Sequence, residues 1–266
     1  MGARIVCLFS CGAASAVATK LAIANANGAE VVIFNNEVVE EHPDNKRFLA
    51  DCEKWFGSPI QTVRNEKYAG SIYEVFEKNR FIMNRFGANC TRHLKREMYK
   101  FNPSDRVVFG YTAEEQVRLD RFIDANNGVD IYAPLIEAGL TKADCLSMIE
   151  RAGIELPMMY KLGYHNNNCI GCVKGGKGYW NKVRADFPLV FERMSDLQQR
   201  LGPGSYFFKG APGEERLSLK DLPLGSGDYP SEPEVQCGLF CELAEKDIAV
   251  GTDKGSDLAA YAPATL

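Results

Sequence analysis

The sequence lacks any apolar run that approaches the roughly 18 residues of a membrane-spanning helix. Its N-terminus also lacks the basic start and the long apolar segment of a signal peptide. We therefore expect a cytoplasmic protein with no membrane partner. Because thiols stay reduced in that compartment, the nine cysteines are expected to be metal ligands, catalytic thiols or buried apolar residues rather than disulfides.

The sequence also has little net charge and no internal repeat. A net charge of -4 over 266 residues gives no global sign of nucleic-acid binding, so any such surface must be local. With 45% hydrophobic and 25% charged residues, the composition is that of an ordinary globular protein.

Apolar, β-branched runs alternate with helical patterns along the first half of the chain. The runs expected to form buried strands are 3–9, 29–36, 58–65, 105–112 and 129–136. The segments expected to form helices are 14–22, 43–57, 71–87, 92–101 and 113–127. This alternation predicts an α/β fold, with a parallel twisted sheet and helices on both of its faces.

The character of the sequence changes after Leu140. Thr141, with Asp144 three residues later, is typical of a helix N-terminus, and the apolar face that follows ends at Gly153. Cysteine, glycine and basic residues then crowd 164–184, and glycine, proline and serine dominate from about Leu201. We expect three parts, namely an α/β domain over 1–140, an irregular Cys-containing region packed on it over 141–242, and a disordered tail over 243–266.

The loop between the first strand and the first helix, SCGAAS at 10–15, contains only small residues. A loop that opens a helix at the end of a parallel strand presents unpaired backbone N–H groups and the positive end of the helix dipole. Such a loop binds phosphate, and small side chains let phosphate oxygens reach the backbone. Gly12 allows an unusual backbone angle, and Ser10 and Ser15 can add hydroxyl donors. The alternative is a tight turn with no ligand, since the loop fits neither G-x-x-x-x-G-K-[ST] nor G-x-G-x-x-G.

Five motifs, in the same order, resemble a known family. SCGAAS resembles the pyrophosphate loop of the adenine nucleotide alpha-hydrolase-like ATP pyrophosphatases, and most closely that of the phosphoadenosine phosphosulfate reductase family. The other segments that resemble this family are FNNEVVEEHPDNKRF, NCTRHLKRE, GYTAEEQVR and the stretch from YAPLIEAG to CIGC. The resemblance covers about residues 3 to 172, and it implies an adenine nucleotide alpha-hydrolase-like fold that binds ATP with Mg²⁺.

The resemblance also implies which residues form the nucleotide site. The residues implied are Ser10, Cys11, Gly12, Ala13, Ala14, Ser15, Asn35, Asn36, Arg92, Lys95 and Arg118. Of these, Ser10 and Ser15 are implied to be catalytic, and Asn35 and Asn36 are expected beside the adenosine at the end of the second strand. For each arginine or lysine, the alternative is a solvated surface charge. Many ATP-cleaving members carry Lys-Asp where this chain has Ala13 and Ala14, which leaves open whether ATP is cleaved or an adenosine phosphate is only bound.

Basic residues are concentrated in two segments. From Lys78 to Lys100 there are seven Lys or Arg against one Glu, so this block is a candidate anion or nucleic-acid surface. A second basic run covers 174–184, where Tyr179 and Trp180 could stack on bases. Packing of these two aromatic residues in the core is the alternative.

Two cysteine pairs lie in the second half of the chain. Cys169-Ile-Gly-Cys172 is a C-x2-C motif, and a second pair follows about 65 residues later. Four thiolates in two pairs suit zinc or an iron–sulfur cluster, although a lone C-x2-C can also be a redox dithiol. Iron–sulfur members of the family carry Cys-Cys about eighty residues before their C-x2-C, a place taken here by Cys90 and Thr91. The resemblance thus implies a 4Fe-4S cluster, with Zn as the alternative, and the implied ligands are Cys90, Cys169, Cys172, Cys237 and Cys241.

The remaining cysteines are expected to be structural. We predict core packing for Cys7, Cys52 and Cys145. Cys11 lies inside the phosphate loop, where a small loop filler is the expectation and a thiol beside the phosphate is the alternative.

The tail motif CGLFC resembles the E-C-G-L-H motif of sulfonucleotide reductases, whose cysteine attacks sulfur, but Gln236 and Phe240 replace the Glu and the His. We expect an ATP-dependent sulfur-transfer enzyme that adenylates and thiolates a nucleic acid, like the ATP pyrophosphatase component of DNA phosphorothioation systems. Cys237 would be catalytic, a cysteine desulfurase would donate sulfur, and a homodimer is possible. The alternatives are a sulfonucleotide reductase with Cys237 as nucleophile and a non-catalytic nucleotide-binding subunit. The acceptor stays open among DNA, tRNA and a small molecule.

Overall fold

The computed structural model describes residues 4–84, 87–99, 101–126, 128–208 and 215–235. The strands are β1 Ile5–Leu8, β2 Val31–Asn36, β3 Ile60–Val63, β4 Met83–Asn84, β5 Gly87–Ala88, β6 Arg106–Val108 and β7 Asp130–Tyr132. The α-helices are α1 Ala13–Ala24, α2 Asn45–Phe56, α3 Ile72–Asn79, α4 Asn89–Leu94, α5 Gln116–Ala125, α6 Pro134–Glu137, α7 Lys142–Arg151, α8 Met158–Lys161, α9 Lys177–Asp186 and α10 Pro188–Leu201. Within these ranges no helix has the length and apolarity to cross a membrane. The predicted tail over 243–266 lies outside the described residues.

Five strands form one parallel sheet in the order β3-β2-β1-β6-β7, which confirms the predicted α/β fold. The central strand β1 pairs with β2 on one side, where Ile5 faces Val31, and with β6 on the other, where Ile5 faces Arg106. Continuous apolar runs suit such strands because both faces are covered. The chain moves outward from β1 through β2 to β3 and then crosses to β6, so β1 and β6 flank a topological switch point.

Helices cover both faces of the sheet, as the alternation predicts. On one face, Ile5, Cys7 and Ile33 pack with α1, α2 and α7 in one apolar cluster. On the other face, Phe109 packs against Phe122 of α5. The three cysteines predicted to be core residues, Cys7, Cys52 and Cys145, are buried in the first cluster.

Local capping explains which helix ends agree with the sequence. Helix α2 ends at Gly57, whose φ of +67° is left-handed. Thr141 is the N-cap of helix α7, as predicted. Its side chain accepts from the backbone N–H of Asp144, and the Asp144 side chain accepts from the backbone N–H of Thr141.

Two helix predictions are wrong in their bounds. The helix predicted over 71–87 stops at Asn79, because Arg80 turns into a left-handed conformation (φ +53°) and the chain bends to bury Ile82 completely. A short antiparallel hairpin of β4 and β5 follows. The helix predicted over 92–101 is instead α4, followed by a 3-10 turn at Arg96–Met98.

A second apolar core lies beyond the sheet, around Trp180. It joins Phe76 of α3 and Ile82 to Trp180 of α9 and Met194 of α10, so it includes residues from both sides of position 140. Tyr179 and Trp180 are both buried here, which fits core packing and leaves neither ring available to stack on a base.

Candidate functional site

The main cleft opens at the carboxyl ends of β1 and β6, at the switch point of the sheet. Open α/β sheets bind ligands at this place, because the loops diverge there and leave a crevice. The cleft holds about 1090 Å³ of empty space, which includes the solvent at its open mouth. Of the predicted nucleotide residues, those that line it are Ser10, Gly12, Ala14, Ser15, Asn36, Lys95 and Arg118.

The small-residue loop leads from β1 directly into α1, which begins at Ala13 and carries no acidic residue in its first turn. Ser15 Oγ accepts from the Ser10 backbone N–H at 3.2 Å and lies 3.1 Å from Ser10 Oγ, and it donates to Gly12 O at 2.9 Å. These bonds hold the loop closed on itself at the positive end of α1. An anion placed in the cleft therefore meets a fixed loop with a favourable helix dipole.

The left-handed residue of this loop is Cys11, with φ +56°. Gly12 does not use the unusual backbone angle that a glycine allows, since its φ is -94° and its ψ is 154°. Cys11 is buried, Asn35 Nδ2 lies 3.5 Å from its Sγ, and burial raises the pKa of the thiol well above its usual value. A neutral, buried thiol is a loop filler rather than a nucleophile.

Gly110, which sequence reasoning missed, supports the loop from β6. A Cβ at this position would lie 2.9 Å from Ser15 N and 3.0 Å from Ser15 Cα, closer than a Cβ atom can approach a backbone. The glycine in the GYT segment thus lets the first turn of α1 sit directly against the end of β6. A glycine that follows an apolar strand was the available signal.

Charged side chains form two walls of the cleft. On one wall, Lys95 is only 8% exposed and lies beside Glu41, whose carboxylate accepts from Asn45 Nδ2 at 2.9 Å. Burial raises the pKa of Glu41, and the neighbouring Lys95 charge opposes that shift. On the other wall, Arg118 Nη1 donates to Glu115 Oε1 at 2.7 Å.

The two asparagines after β2 have different roles. Asn35 is buried, and its Nδ2 donates to Phe9 O at 2.9 Å, so it ties β2 to the end of β1. Asn36 lines the cleft, and its Oδ1 is buried with no hydrogen-bond partner among the described residues. A buried acceptor of this kind is satisfied when a ligand donates to it.

The segment from Tyr160 to Asn168 lines one part of the cleft. The sequence did not identify its residues as part of the site. Tyr160 Oη accepts from the Ala13 N–H at 3.2 Å, and Asn167 Nδ2 donates to Cys11 O at 2.7 Å. Lys142, a cleft residue on α7, donates to Asn166 Oδ1 at 2.8 Å and to Glu234 Oε2 at 2.6 Å. The run of three asparagines before Cys169 was the visible signal, because such a polar run in a buried region needs partners.

The basic block 78–100 is divided by the fold. Lys95 faces the cleft, whereas Arg92 is not part of the cleft lining and its Nε donates to Glu97 Oε1 at 2.9 Å on the surface. Lys78 pairs with Glu74 on α3 at 3.1 Å. These residues therefore do not face one common surface.

The C-x2-C loop packs in the second apolar core. Cys172 is buried there, and Cys90 and Cys169 pack against the same cluster. The Tyr179 hydroxyl accepts from Gly171 N at 3.0 Å and from Cys172 N at 2.9 Å, and it donates to Cys169 O at 3.2 Å.

Gly171 is left-handed at φ +78°, which a non-glycine residue adopts only with strain. In the part of the chain that the structure describes, no group of three His, Cys, Asp or Glu side chains is placed to hold a metal ion. Cys237 and Cys241 lie outside the described residues, so metal ligation stays a prediction.

The end of the last described segment, residues 229–235, lies beside the cleft. Glu232 accepts from the backbone N–H groups of Gly178 and Tyr179 at 2.6 and 2.9 Å. Val235 O accepts from Asn166 Nδ2 at 3.0 Å and from Asn168 Nδ2 at 2.5 Å. Val235 and Cys169 line one small pocket beside the main cleft. The described chain thus ends at the rim of the cleft, two residues before Cys237 in sequence.

Comparison with known proteins adds no family to this geometry. A scan against protein-family models gave no match to the chain, and a search of curated proteins found no significant relative.

Proposed function

We propose that the cleft binds the phosphates of an adenine nucleotide at the loop 10–15. The observation that carries this proposal is the position of a small-residue loop, at the positive end of α1 and at the switch point of a parallel sheet. Lys95 and Arg118 in the walls supply positive charge. The unpaired Asn36 Oδ1 offers an acceptor where the adenosine would lie.

The proposed reaction is ATP-dependent activation followed by sulfur transfer. An oxygen of the acceptor attacks the α-phosphorus of ATP, pyrophosphate leaves, and the acceptor oxygen becomes part of an adenylate. A sulfur nucleophile from a donor such as a cysteine desulfurase then attacks the activated centre, and AMP leaves with that oxygen. Mg²⁺ would accompany the ATP, and the Glu41 carboxylate in the cleft is an oxygen ligand of the type that Mg²⁺ prefers.

The sulfur-transfer part of the proposal rests on the resemblance of the motifs and on the path of the C-terminal segment. Val235 lies at the cleft rim beside Cys169, and Cys237 follows two residues later. We propose that Cys237 carries the sulfur as a persulfide, whose terminal sulfur attacks the adenylate and displaces AMP. A second thiol, for which Cys241 is the candidate, then attacks the Sγ of Cys237 and releases the thiolated acceptor, and a thiol reductant reopens the disulfide that forms. A 4Fe-4S cluster or Zn at the cysteine pairs is part of the same proposal, and no step above depends on it.

The decisive experiment pairs two variants of one loop position. Gly12→Asp places a carboxylate beside Ser10 and Ser15, whereas Gly12→Asn adds nearly the same bulk without charge. If phosphate binds there, Gly12→Asp should lower ATP affinity at least tenfold relative to Gly12→Asn in calorimetric titrations. Equal affinity in the two folded variants would remove the basis of the proposal.

Product analysis separates the proposed reaction from its alternatives. Pyrophosphate release from ATP supports the sulfur-transfer enzyme. Sulfite release from a sulfonucleotide identifies a reductase with Cys237 as nucleophile. Nucleotide binding with neither product leaves a non-catalytic subunit, in which Ala13 and Ala14 would reflect lost ATP cleavage.

A nucleic acid is the acceptor that we propose, on the resemblance of the motifs to those of DNA phosphorothioation systems. The fold divides the basic block, so the test uses one exposed member of it, Arg92. Arg92→Glu changes a surface charge outside the cleft lining. It should weaken binding of a DNA or tRNA duplex and flatten its salt dependence, because fewer counterions are released. An unchanged salt slope would assign Arg92 to the solvated surface rather than to a nucleic-acid contact.

A further inference from the structure

Tyr160 meets the phosphate loop from the opposite side of the cleft, about 150 residues away along the chain. Its hydroxyl oxygen accepts a hydrogen bond from the backbone N–H of Ala13, the first residue of α1, at 3.2 Å. The backbone N–H of Asn167 also interacts with this oxygen. The hydroxyl therefore stands at the helix terminus to which an anion would be drawn.

The hydrogen bonds of the Tyr160 hydroxyl leave its O–H available to a ligand in the cleft. A tyrosine hydroxyl has two acceptor lone pairs and one O–H donor, and the Ala13 N–H uses its acceptor side. Among the described residues no acceptor receives the O–H, and Tyr160 lines the cleft. Burial raises the pKa of Tyr160 to about 12, so the hydroxyl keeps its proton at neutral pH.

A second, independent observation at this end of the cleft also points to a ligand. Asn167 is only 5% exposed and lines the cleft. Its Nδ2 donates to Cys11 O and to Asn45 Oδ1, both at 2.7 Å, which fixes the orientation of its amide. Its Oδ1 is then left buried, with no partner in the described part of the chain. A free donor on Tyr160 and a free acceptor on Asn167 therefore meet beside the loop.

We propose that Tyr160 is a specificity-determining residue that donates its O–H to a phosphate oxygen bound at the loop 10–15. The donor strengthens the site for a phosphate dianion or a polyphosphate, because a hydrogen bond to a charged group is stronger than one between neutral groups. Asn167 Oδ1 accepts from a hydroxyl or a water of the same ligand. This inference rests on the proposed nucleotide site and assigns the residue that recognises its anion.

The test compares three ligands, inorganic pyrophosphate, ATP and adenosine, on the wild type and on Tyr160→Phe. We expect pyrophosphate and ATP affinities to fall roughly 10- to 100-fold, while adenosine affinity stays within about twofold. Tyr73→Phe is the matched control, since it removes a buried hydroxyl that lies outside the cleft lining. That variant should bind all three ligands as the wild type does.

Each other outcome overturns a defined part of the argument. A wild type that binds neither ATP nor pyrophosphate overturns the proposed function and, with it, the role of Tyr160. A wild type that binds both, with Tyr160→Phe unchanged, overturns the Tyr160 assignment alone. Equal losses for pyrophosphate and adenosine show that Tyr160 is only structural.

If Tyr160→Phe does not fold, p-aminophenylalanine in place of Tyr160 retains an N–H donor at the same position. Pyrophosphate binding within about threefold of wild type then supports the proposal, and a larger loss in that folded variant overturns it.

Discussion

The loop 10–15 and the C-x2-C loop at Cys169–Cys172 both contain a glycine, but their backbone groups have different partners. In the loop 10–15, the turn opens onto a cleft with charged walls, and its serine bonds stay within the loop. In the C-x2-C loop, one buried tyrosine hydroxyl occupies the backbone N–H groups of Gly171 and Cys172, and the surroundings are apolar. Small residues therefore mark a ligand site only where the fold leaves polar groups facing a cavity.

Thiol reactivity gives the largest expected contrast between the two loops. Burial raises the pKa of Cys7, Cys52 and Cys145 to about 12, and it also raises the pKa of Cys11 well above its usual value. At pH 8 only about one such thiol in ten thousand is ionised. After chelator treatment, N-ethylmaleimide should modify the partly buried Cys169 faster than these four thiols, as followed by peptide mass spectrometry.

Denaturant provides the control for this labelling, because all of these thiols should react at similar rates in the unfolded chain. If Cys11 in the native protein is modified at the same rate as Cys169, the loop 10–15 opens in solution. That result would contradict the prediction that the buried thiols react more slowly.

Gly110 and Gly12 both lie at the loop 10–15, and alanine substitutions at the two positions can be compared. Gly110→Ala forces a Cβ against the backbone of Ser15 at 2.9 Å, so we expect a loss of about 1–3 kcal/mol in the free energy of unfolding, with weaker nucleotide binding. Gly12→Ala adds a Cβ 3.5 Å from Tyr160 Oη, an ordinary contact, and should stay within about 0.5 kcal/mol of wild type. Denaturant titration measures both, and equal losses would contradict the packing argument.

Tyr179→Phe tests the C-x2-C loop. It leaves the N–H groups of Gly171 and Cys172 without their acceptor, which should cost about 1–2 kcal/mol of stability. Nucleotide affinity should not change, since Tyr179 does not line the main cleft. A large loss of ATP affinity in the folded variant would show that the two loops are coupled.

Glu41→Gln should have the smallest effect, and it depends on pH. The folded-state pKa of Glu41 is raised by burial above its ordinary value of 4.5, so the native state holds this proton to a higher pH than the unfolded chain does. Its ionisation therefore lowers stability as pH rises from about 4.5 through the folded pKa. Unfolding titrations across this range should show that Glu41→Gln removes the decline.

The same substitution takes a negative charge out of the cleft. In the absence of Mg²⁺, pyrophosphate should then bind a few-fold more tightly above the folded pKa of Glu41, on the order of 0.5–1 kcal/mol. Identical pH profiles for the wild type and the variant would contradict the raised pKa.

Local patterns in the sequence predicted the parts of the fold that local physics determines. The strands were visible because strands buried on both faces are apolar throughout, and two helix ends were visible because Gly57 and Thr141 are caps. The end of α3 was not visible, because the apolar pattern continues past Asn79 and only tertiary burial of Ile82 decides the turn.

The candidate site divides in the same way. The small residues of the loop 10–15 are contiguous, so sequence alone could single them out. Tyr160 and Asn167 reach that loop across 147 and 156 positions of sequence, and no local pattern records such contacts. The left-handed angle lies at Cys11 rather than Gly12, and the Cys11 side chain is buried, which the small residues of the loop do not reveal by themselves.

The central place of β1 in the sheet has a consequence for the growing polypeptide on the ribosome. β1 pairs with β2, which follows it closely in the chain. Its second neighbour, β6, is synthesised about 100 residues later, and Arg4 pairs with Asp105 across 101 positions. At roughly 5–20 residues per second, one edge of an apolar strand waits about 5–20 s for its partner. Fragments that end before residue 105 keep that edge exposed, so they should aggregate or need a chaperone. The cleft between β1 and β6 therefore forms only late in translation.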